Sequence, residues 1–454
     1  METLLTAIVA SPGAVFLLLG LLWLAGWTPS ERAVARLTVI TYASGALGTL
    51  ALFALMRRHG VHHVAMLVGP WFSVGEYRFA SSLFVDRLSL PYMLLTVTLV
   101  GLIGAFSRRY LHRDAGYFRF FALLQLFGFG SLLIFTAGSF DLLIVGWELV
   151  GITSVLLVGF FHQRPEPVRG ALYVFAMYRG TDIGLLTAAV ALHHFAHSAT
   201  YGDLFRGAWP NQTIGFAGPA TLMALLFVLS AAGKSAQIPF SGWLPRAMEG
   251  PTPSSAVFYG AIAVHAGTYL LLRAHPLLDA SPIASALVVL IGALTAIHGT
   301  MVGRACADAK TYLSYASLTQ LGIIFVEIGL GLQWLAVIHV VGHAATRTLQ
   351  FLRAPSMLHD FHQIHSAAGG HLAATGAHYE TLFPAALRDW LYRLAIDRGH
   401  HDTVLERFVL APLGRLSQAL HSLERIWAPP HDTPAPPEWS RQSLQVTWKE
   451  KART

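Results

Sequence analysis

Apolar residues run along this chain in blocks of about 20, the length that crosses a bilayer core, separated by short polar or arginine-bearing stretches. Leu4 to Trp27 and Leu37 to Met56 are the first two, the second closed by Arg57-Arg58-His59. Residues 60–87 form a mixed polar connection ending in Phe84-Val85-Asp86-Arg87. Leu88 to Phe106, Tyr117 to Ala137 and Asp141 to Phe161 come next, and Gln163 to Pro167 reads as an extended linker. Val168 to Phe195 is the sixth block, and 196–217 is a polar loop. The seventh block is interrupted. Ile283 to Arg304, Tyr312 to Leu332 and Gln333 to Leu352 complete the series, the last two joined almost without a loop. The pattern predicts an all-α integral membrane protein, a multi-span helical bundle of about ten spans.

The interrupted block organises the rest. An apolar run from Leu222 to Ala232 leads through Gly233 to Lys234, and Pro239 and Pro245 then break helix geometry. Glu249-Gly250-Pro251-Thr252-Pro253 is a second break, with an apolar run from Ala256 to Leu272 after it. This is two half-helices joined by irregular backbone, with an ionisable group at the joint. Such backbone is tolerated in lipid only where protein or a water-filled cavity satisfies it, so it points to an ion path.

Composition agrees. Hydrophobic residues make up 54% and charged residues 12%, and mean hydropathy is +0.53. The net charge of +7 sits in arginines at block ends and in the C-terminal tail. It suits phosphate headgroups or an acidic partner, not nucleic acid, for which no motif is present. The single Cys306 excludes an internal disulfide and a cysteine cluster. No flavin, iron–sulfur or nucleotide fingerprint is present, so no cofactor is expected in this chain. The first block is long enough to span, and Met1-Glu2 lacks the basic start of a cleavable signal.

Four charged constellations fall inside the blocks. Glu148 lies mid-span in Gly146-Trp147-Glu148-Leu149, where a carboxylate is costly unless paired. Arg179 and Asp182, three apart, share one helix face and either neutralise each other or serve a path. Lys234 stands at the break. Burial disfavours its ammonium and a nearby carboxylate favours it, a balance that lets it gain and lose a proton. His339, His343 and Arg347 recur every four residues on one stripe, and two stacked imidazoles can pass a proton between them. Metal ligation by the two histidines finds no support on that stripe. His265, His298 and Lys310 are further candidates.

Beyond Arg353 the character changes. Residues 354–380 are His- and Gly-rich and not expected to span. From Glu380 to Trp427 the pattern is amphipathic, with a helix carrying Leu382, Leu387, Trp390, Leu391 and Leu394 and a second from Asp402 to Ile426. These helices serve either as a lid on the bundle or as a dock for a partner or the membrane surface. Residues 428–454 read as a Pro-rich tail. Three regions result: N-terminal spans at 1–80, a central membrane domain at 81–355, and amphipathic helices with tail at 356–454.

Specific stretches resemble a known family: Phe84 to Ser89, Gly146-Trp147-Glu148, Arg179-Gly180-Thr181-Asp182, Ala232 to Phe240, Gly250 to Ala256, Asp308-Ala309-Lys310 and His339 to Leu352. They look like the antiporter-like subunits of respiratory complex I, the L type in particular, and the related cation/proton antiporter and inorganic-carbon pump subunits. The likeness covers roughly residues 80–355. It implies a proton path in which Glu148 modulates Lys234, Arg179 and Asp182 form a nearby charged pair, and His339 and His343 lie on a central axis. It also implies other membrane or soluble subunits as partners and a bacterial cytoplasmic membrane as location.

Three departures from the family pattern stand out. Tyr259 occupies a position where the L type commonly has a histidine, and His265 lies six residues later. Arg347 replaces a central lysine and, being always protonated, acts as a fixed charge rather than a relay. The second inverted half is incomplete, with spans nine and ten but no second broken helix. This shortened form suits the membrane half of a DAB-type inorganic-carbon uptake complex, which pairs with a soluble zinc subunit. The alternatives are an L-type proton-pumping subunit of an NADH:quinone oxidoreductase-like complex, and a structural subunit with a vestigial path.

Overall fold

The structure is a computed structural model that describes residues 1–74, 77–306, 308–354, 366, 384–400, 403, 407 and 411–427. Six of its described helices are long and apolar enough to cross a membrane. Five are α1 (Glu2–Leu24), α2 (Glu31–Arg58), α3 (Ser89–Tyr110), α4 (Tyr117–Thr136) and α5 (Phe140–Val158, continued by a 3-10 turn to Phe161); the sixth is α13 (Pro282–Arg304). Three more long helices, α6 (Pro165–Ala196), α14 (Ala309–Gly329) and α15 (Gln333–Arg353), carry the polar groups of the site. With the interrupted helix these match the ten apolar blocks, and the protein is an all-α, multi-pass integral membrane protein. Its outer face is what lipid requires: Val190, Ile297 and Ile338 are each about two-thirds exposed, at 70%, 66% and 66%.

Helix ends obey local chemistry. Ser30, Ser139 and Asp308 cap α2, α5 and α14, each side-chain oxygen accepting from a backbone N–H three residues on. Pro165 and Pro282 open α6 and α13, where a missing N–H costs nothing. Small residues let helices touch. A Cβ on Gly292 of α13 would lie 2.6 Å from the Gly322 carbonyl oxygen of α14, so only glycine permits that approach.

The connections hold more structure than their composition suggests. Residues 60–87, read as a mixed polar connection, form an antiparallel hairpin of β1 (Val64–Val74) and β2 (Tyr77–Val85), paired from Val64↔Val85 to Val74↔Tyr77 with register shifts at Leu67/Gly69 and Pro70/Phe72. The polar loop after α6 contains α7 (Tyr201–Leu204) and a second hairpin, β3 (Phe205–Arg206) with β4 (Thr213–Ile214). Backbone bonds join the two regions at one end of α5: Gly138 N–H donates to Ser82 O at 2.8 Å, and Tyr201 N–H to Gly138 O at 2.9 Å. These partners are distant in sequence, which is why local periodicity does not reveal them.

The interrupted helix is α8 (Ala220–Lys234), an irregular stretch with Ala236 at φ +53, then α9 (Trp243–Arg246), α10 (Thr252–Ser255) and α11 (His265–Arg273). The expected second half-helix from Ala256 is not continuous. Residues 256–261 make a wide π turn, and Ile262 leaves helical geometry at φ −141 before α11 begins. An inserted turn of this kind shifts the register of the helix after it, and such turns recur at functional sites. A short α12 (His275–Asp279) precedes α13.

Residues Met1–Gly399 form one compact unit, which includes α16 (Ala385–Ile396). Residues His400–Thr454 form a second, in which α17 (Ala411–Trp427) is described. Both helices agree with the amphipathic pattern and expose large apolar side chains, Trp390 in α16 and Leu416 and Leu420 in α17. The expected start of the first helix at 380–383, including Leu382, lies outside the described residues. So do Leu405, Phe408 and Val409 of the second, the His- and Gly-rich stretch apart from Ala354 and Ser366, and the tail at 428–454.

Candidate functional site

Lys234 is the last residue of α8, where the helix gives out, and it is fully buried. Its Nζ donates to the Trp147 carbonyl oxygen at 3.3 Å. It also lies 4.1 Å from the Tyr178 ring centroid and 4.7 Å from that of Trp147. Each aromatic face contributes about 2 kcal/mol to a desolvated cation, whereas burying an ammonium costs several. The two rings and the Trp147 carbonyl are the groups that offset that cost here. Glycines make the room: a Cβ on Gly151 would sit 3.2 Å from Nζ, and one on Gly233 would collide with Thr181.

The carboxylates do not touch this lysine. Among the described residues Lys234 makes no ion pair. Glu148, expected to modulate the lysine by its charge, is ion-paired with Arg179. The same Arg179 Nη2 reaches Asp182 Oδ2 at 2.8 Å. Asp182 is buried and accepts from Trp147 Nε1 at 2.5 Å. Arg179 thus bridges two carboxylates, and Trp147 connects that network to the lysine by its indole N–H, its ring and its carbonyl. Glu148 and Arg179 are about one-third exposed, at 33% and 38% of their side chains, so their end of the network faces outward. Trp147 and Tyr178 were adjacent to the singled-out charges in the sequence, but nothing in their spacing showed that they contact Lys234.

The histidine stripe does not act as one unit. His343 is buried, and its Nδ1 lies 2.9 Å from Nε2 of His265 on α11. His339 turns to α14, with Nδ1 2.9 Å from Glu327 Oε1 and Nε2 2.9 Å from Gln320 Oε1. The two histidines expected to stack on each other have separate partners. A spacing of four drifts by about 40° per step around a helix, enough to send neighbouring members to different elements. Arg347 donates to the Ala316 carbonyl oxygen at 3.0 Å and to Gln350 Oε1 at 2.7 Å. His298 of α13 stacks edge-on with Tyr315 of α14 at 6.0 Å between centroids. Lys310 sits half-buried in the first turn of α14. The Tyr259 side chain lies outside the described residues. Glu327 was missed, although a carboxylate within Ile323 to Leu330 was a visible signal.

A second buried ion pair was also missed. Arg273 at the end of α11 grips Asp86 with both terminal nitrogens, Nη1 to Oδ2 at 2.7 Å and Nη2 to Oδ1 at 2.9 Å. The N–H groups of Leu88 and Ser89 also donate to Asp86 Oδ1, each at 3.0 Å. Burial pushes the Asp86 carboxyl up, but the Arg273 charge and hydrogen bonds, helped by Ser89, outweigh it and hold the group below the usual carboxylate range.

In membrane proteins generally, an interrupted span with a buried lysine at the break beside a bridged carboxylate network is the kind of arrangement that marks an ion path. Residues 137–376 match the family described as NADH:quinone oxidoreductase/Mrp antiporter, TM. Residues 71–121 match the chain 5 N-terminus of NADH-ubiquinone oxidoreductase, complex I. The chain belongs to the NADH:quinone oxidoreductase/Mrp antiporter membrane family. It is 34% identical over 325 residues to NADH-quinone oxidoreductase subunit L of Mycobacterium tuberculosis, covering 71% of this chain and 51% of that protein. The corresponding subunit of Rickettsia bellii is 33% identical over 342 residues, 73% of this chain and 53% of that protein. The Mrp complex structure from Dietzia sp. DQ12-45-1b superposes with a TM-score of 0.65 at 26% identity, over 77% of this chain and 37% of that one. The chain spans about half the length of the curated relatives it matches.

Proposed function

We propose that this chain is a proton-conducting membrane subunit of the L type, working within an NADH:quinone oxidoreductase-like assembly in a bacterial cytoplasmic membrane. The carrying observation is Lys234, fully buried at the end of α8 and linked through Trp147 to the Arg179-bridged carboxylates. In this reading Arg179 neutralises Glu148 and Asp182 while the lysine is at rest. A shift of Arg179 toward either carboxylate changes the field at Lys234 and decides whether its proton is held or released. The released proton continues through His265 and His343, whose imidazole nitrogens are within hydrogen-bond distance. His343 Nε2, buried and without a partner among the described residues, is the next acceptor or donor in line. The two curated relatives named above are both NADH-quinone oxidoreductase subunit L, which supports this reading ahead of inorganic-carbon uptake.

The test is proton translocation coupled to quinone reduction in the assembled complex. Lys234→Ala should abolish translocation while assembly persists. Lys234→Arg should fail as well, because arginine does not release its proton. Full pumping by either assembled variant would overturn the proposal. Purification with a flavin- and iron–sulfur-bearing partner is the expected outcome; purification with a soluble zinc subunit would restore the inorganic-carbon reading.

A further inference from the structure

A groove of about 770 Å³ opens on the flank of the bundle between α2, α3 and α15. Its walls are apolar, with Phe53 of α2, Leu90, Leu94 and Leu99 of α3, and Val341 of α15 among them. From Leu90 to Leu99 the wall runs nine residue steps, about 14 Å of helix. That is close to half of a hydrocarbon core about 30 Å thick, the depth of one leaflet.

Only one end of the groove is charged. Arg57 is in the last turn of α2, and Arg87 lies just before α3. Both are exposed. Arg87 Nη2 stands 3.5 Å from His62 Nδ1, and among the described residues neither arginine has a carboxylate partner. Two unpaired cations therefore mark the level where a phosphate would lie if a lipid chain filled the groove. Arg87 and His62 also line a second cavity of about 220 Å³. Its wall includes Tyr201 and Gln212, and the buried Tyr201 hydroxyl and Gln212 Oε1 have no hydrogen-bond partner among the described residues. Asp86, also in that wall, is neutralised by Arg273. A leaflet-deep apolar groove thus leads to two cations and then to an unused donor and acceptor.

We propose that this groove is a binding site for an anionic phospholipid with a hydroxyl-bearing headgroup, the phosphatidylglycerol class. One acyl chain lies along α3, the phosphate sits on Arg57 and Arg87, and the headgroup hydroxyls enter the smaller cavity to meet Gln212 and Tyr201. A helix from a neighbouring subunit is the competing occupant. It would fill the apolar walls but would have to bring its own carboxylates to the arginines.

Native mass spectrometry of the purified full chain, titrated with phosphatidylglycerol, phosphatidic acid or phosphatidylcholine, tests the assignment. Phosphatidylglycerol should bind most tightly. Arg57→Ala with Arg87→Ala should weaken it about 30-fold, the loss expected for two interfacial arginines, and leave phosphatidylcholine unchanged. Gln212→Leu should erase the advantage over phosphatidic acid. Leu94→Trp, which fills the groove, should weaken all three lipids. Both arginines are exposed, so the double variant should keep its thermal midpoint, and Arg57→Lys with Arg87→Lys should retain most binding. Equal binding of phosphatidylglycerol and phosphatidylcholine, or undiminished binding by the alanine pair, would overturn the proposal. So would a photo-crosslinker at Leu94 that captures a protein rather than lipid in the native assembly.

Discussion

Trp147 makes the site legible at the scale of single residues. Its indole N–H holds Asp182, its ring and carbonyl hold Lys234, and its neighbour Glu148 holds Arg179. Residues sharing one network are coupled, so substitutions there should not add. Glu148→Gln and Arg179→Gln should each slow proton-coupled turnover. The double variant should be less impaired than the sum of the two, by about 0.5–3 kcal/mol in activation free energy. Strict additivity, measured as turnover of the assembled complex, would remove Arg179 from its bridging role. Asp86 offers a separate test in stability. Its carboxyl is held low in the folded protein, so its contribution is complete above the ordinary carboxylate pKa, about 3.9. That contribution is lost only as pH falls through the lower folded value. The thermal midpoint of the solubilised protein should therefore stay level from neutral pH down to about pH 4 on account of this pair. Asp86→Asn leaves Arg273 buried without its counter-charge and should cost about 3–5 kcal/mol. Adding Arg273→Met should recover part of that loss; a double variant no more stable than Asp86→Asn would contradict the pairing argument.

Among the elements, the interrupted helix sets the geometry through a close contact. Gly233 of α8 faces Thr181 of α6, and Ser230 ties the two helices by accepting from Leu185 N–H at 2.6 Å and donating to Thr181 O at 2.7 Å. Gly233→Ala should therefore push α8 away from α6, lower the thermal midpoint and reduce pumping together, while Thr181→Gly in the same chain should restore both. An alanine variant with unchanged midpoint would mean that the helices have slack. Elements of this kind were readable in advance to unequal degrees. Apolar runs located the spans closely, as with Ile283 to Arg304 against Pro282–Arg304, because each helix satisfies its own backbone and must face lipid along its length. The proline and glycine breaks around Lys234 were equally visible. The hairpin at Val64–Val85 was not, since its pairing and its bonds to residues near 138 and 200 are set by distant chain. Nor was the π turn at 256–261, nor the pairing of His343 with His265 of α11. The Asp86–Arg273 pair spans 187 residues, and no local pattern announces a contact of that reach.

For the molecule as a whole, the proposed route runs from α5 and α6 through α8 to α11 and α15, and Arg347 stands four residues beyond His343 on α15. Its guanidinium is tied to the Ala316 carbonyl and to Gln350, so its charge is fixed in place as well as permanent. A fixed cation near the paired imidazoles of His265 and His343 raises the energy of a proton arriving on them. On this view Arg347 limits leakage along the histidine end of the path. Arg347→Ala removes the charge, and Arg347→Lys keeps a charge that can be given up. Both variants should raise uncoupled proton conductance in vesicles containing the purified chain, the alanine form without any dependence on a redox partner. Lys234→Ala added to either should bring conductance back down, because the leak and the coupled route share the same lysine. Conductance unchanged in both Arg347 variants would leave the arginine as a tie between α14 and α15. In that case Arg347→Ala should lower the thermal midpoint, its loss of the charged bond to the Ala316 carbonyl costing about 1.5–3 kcal/mol, and Arg347→Lys should lower it less.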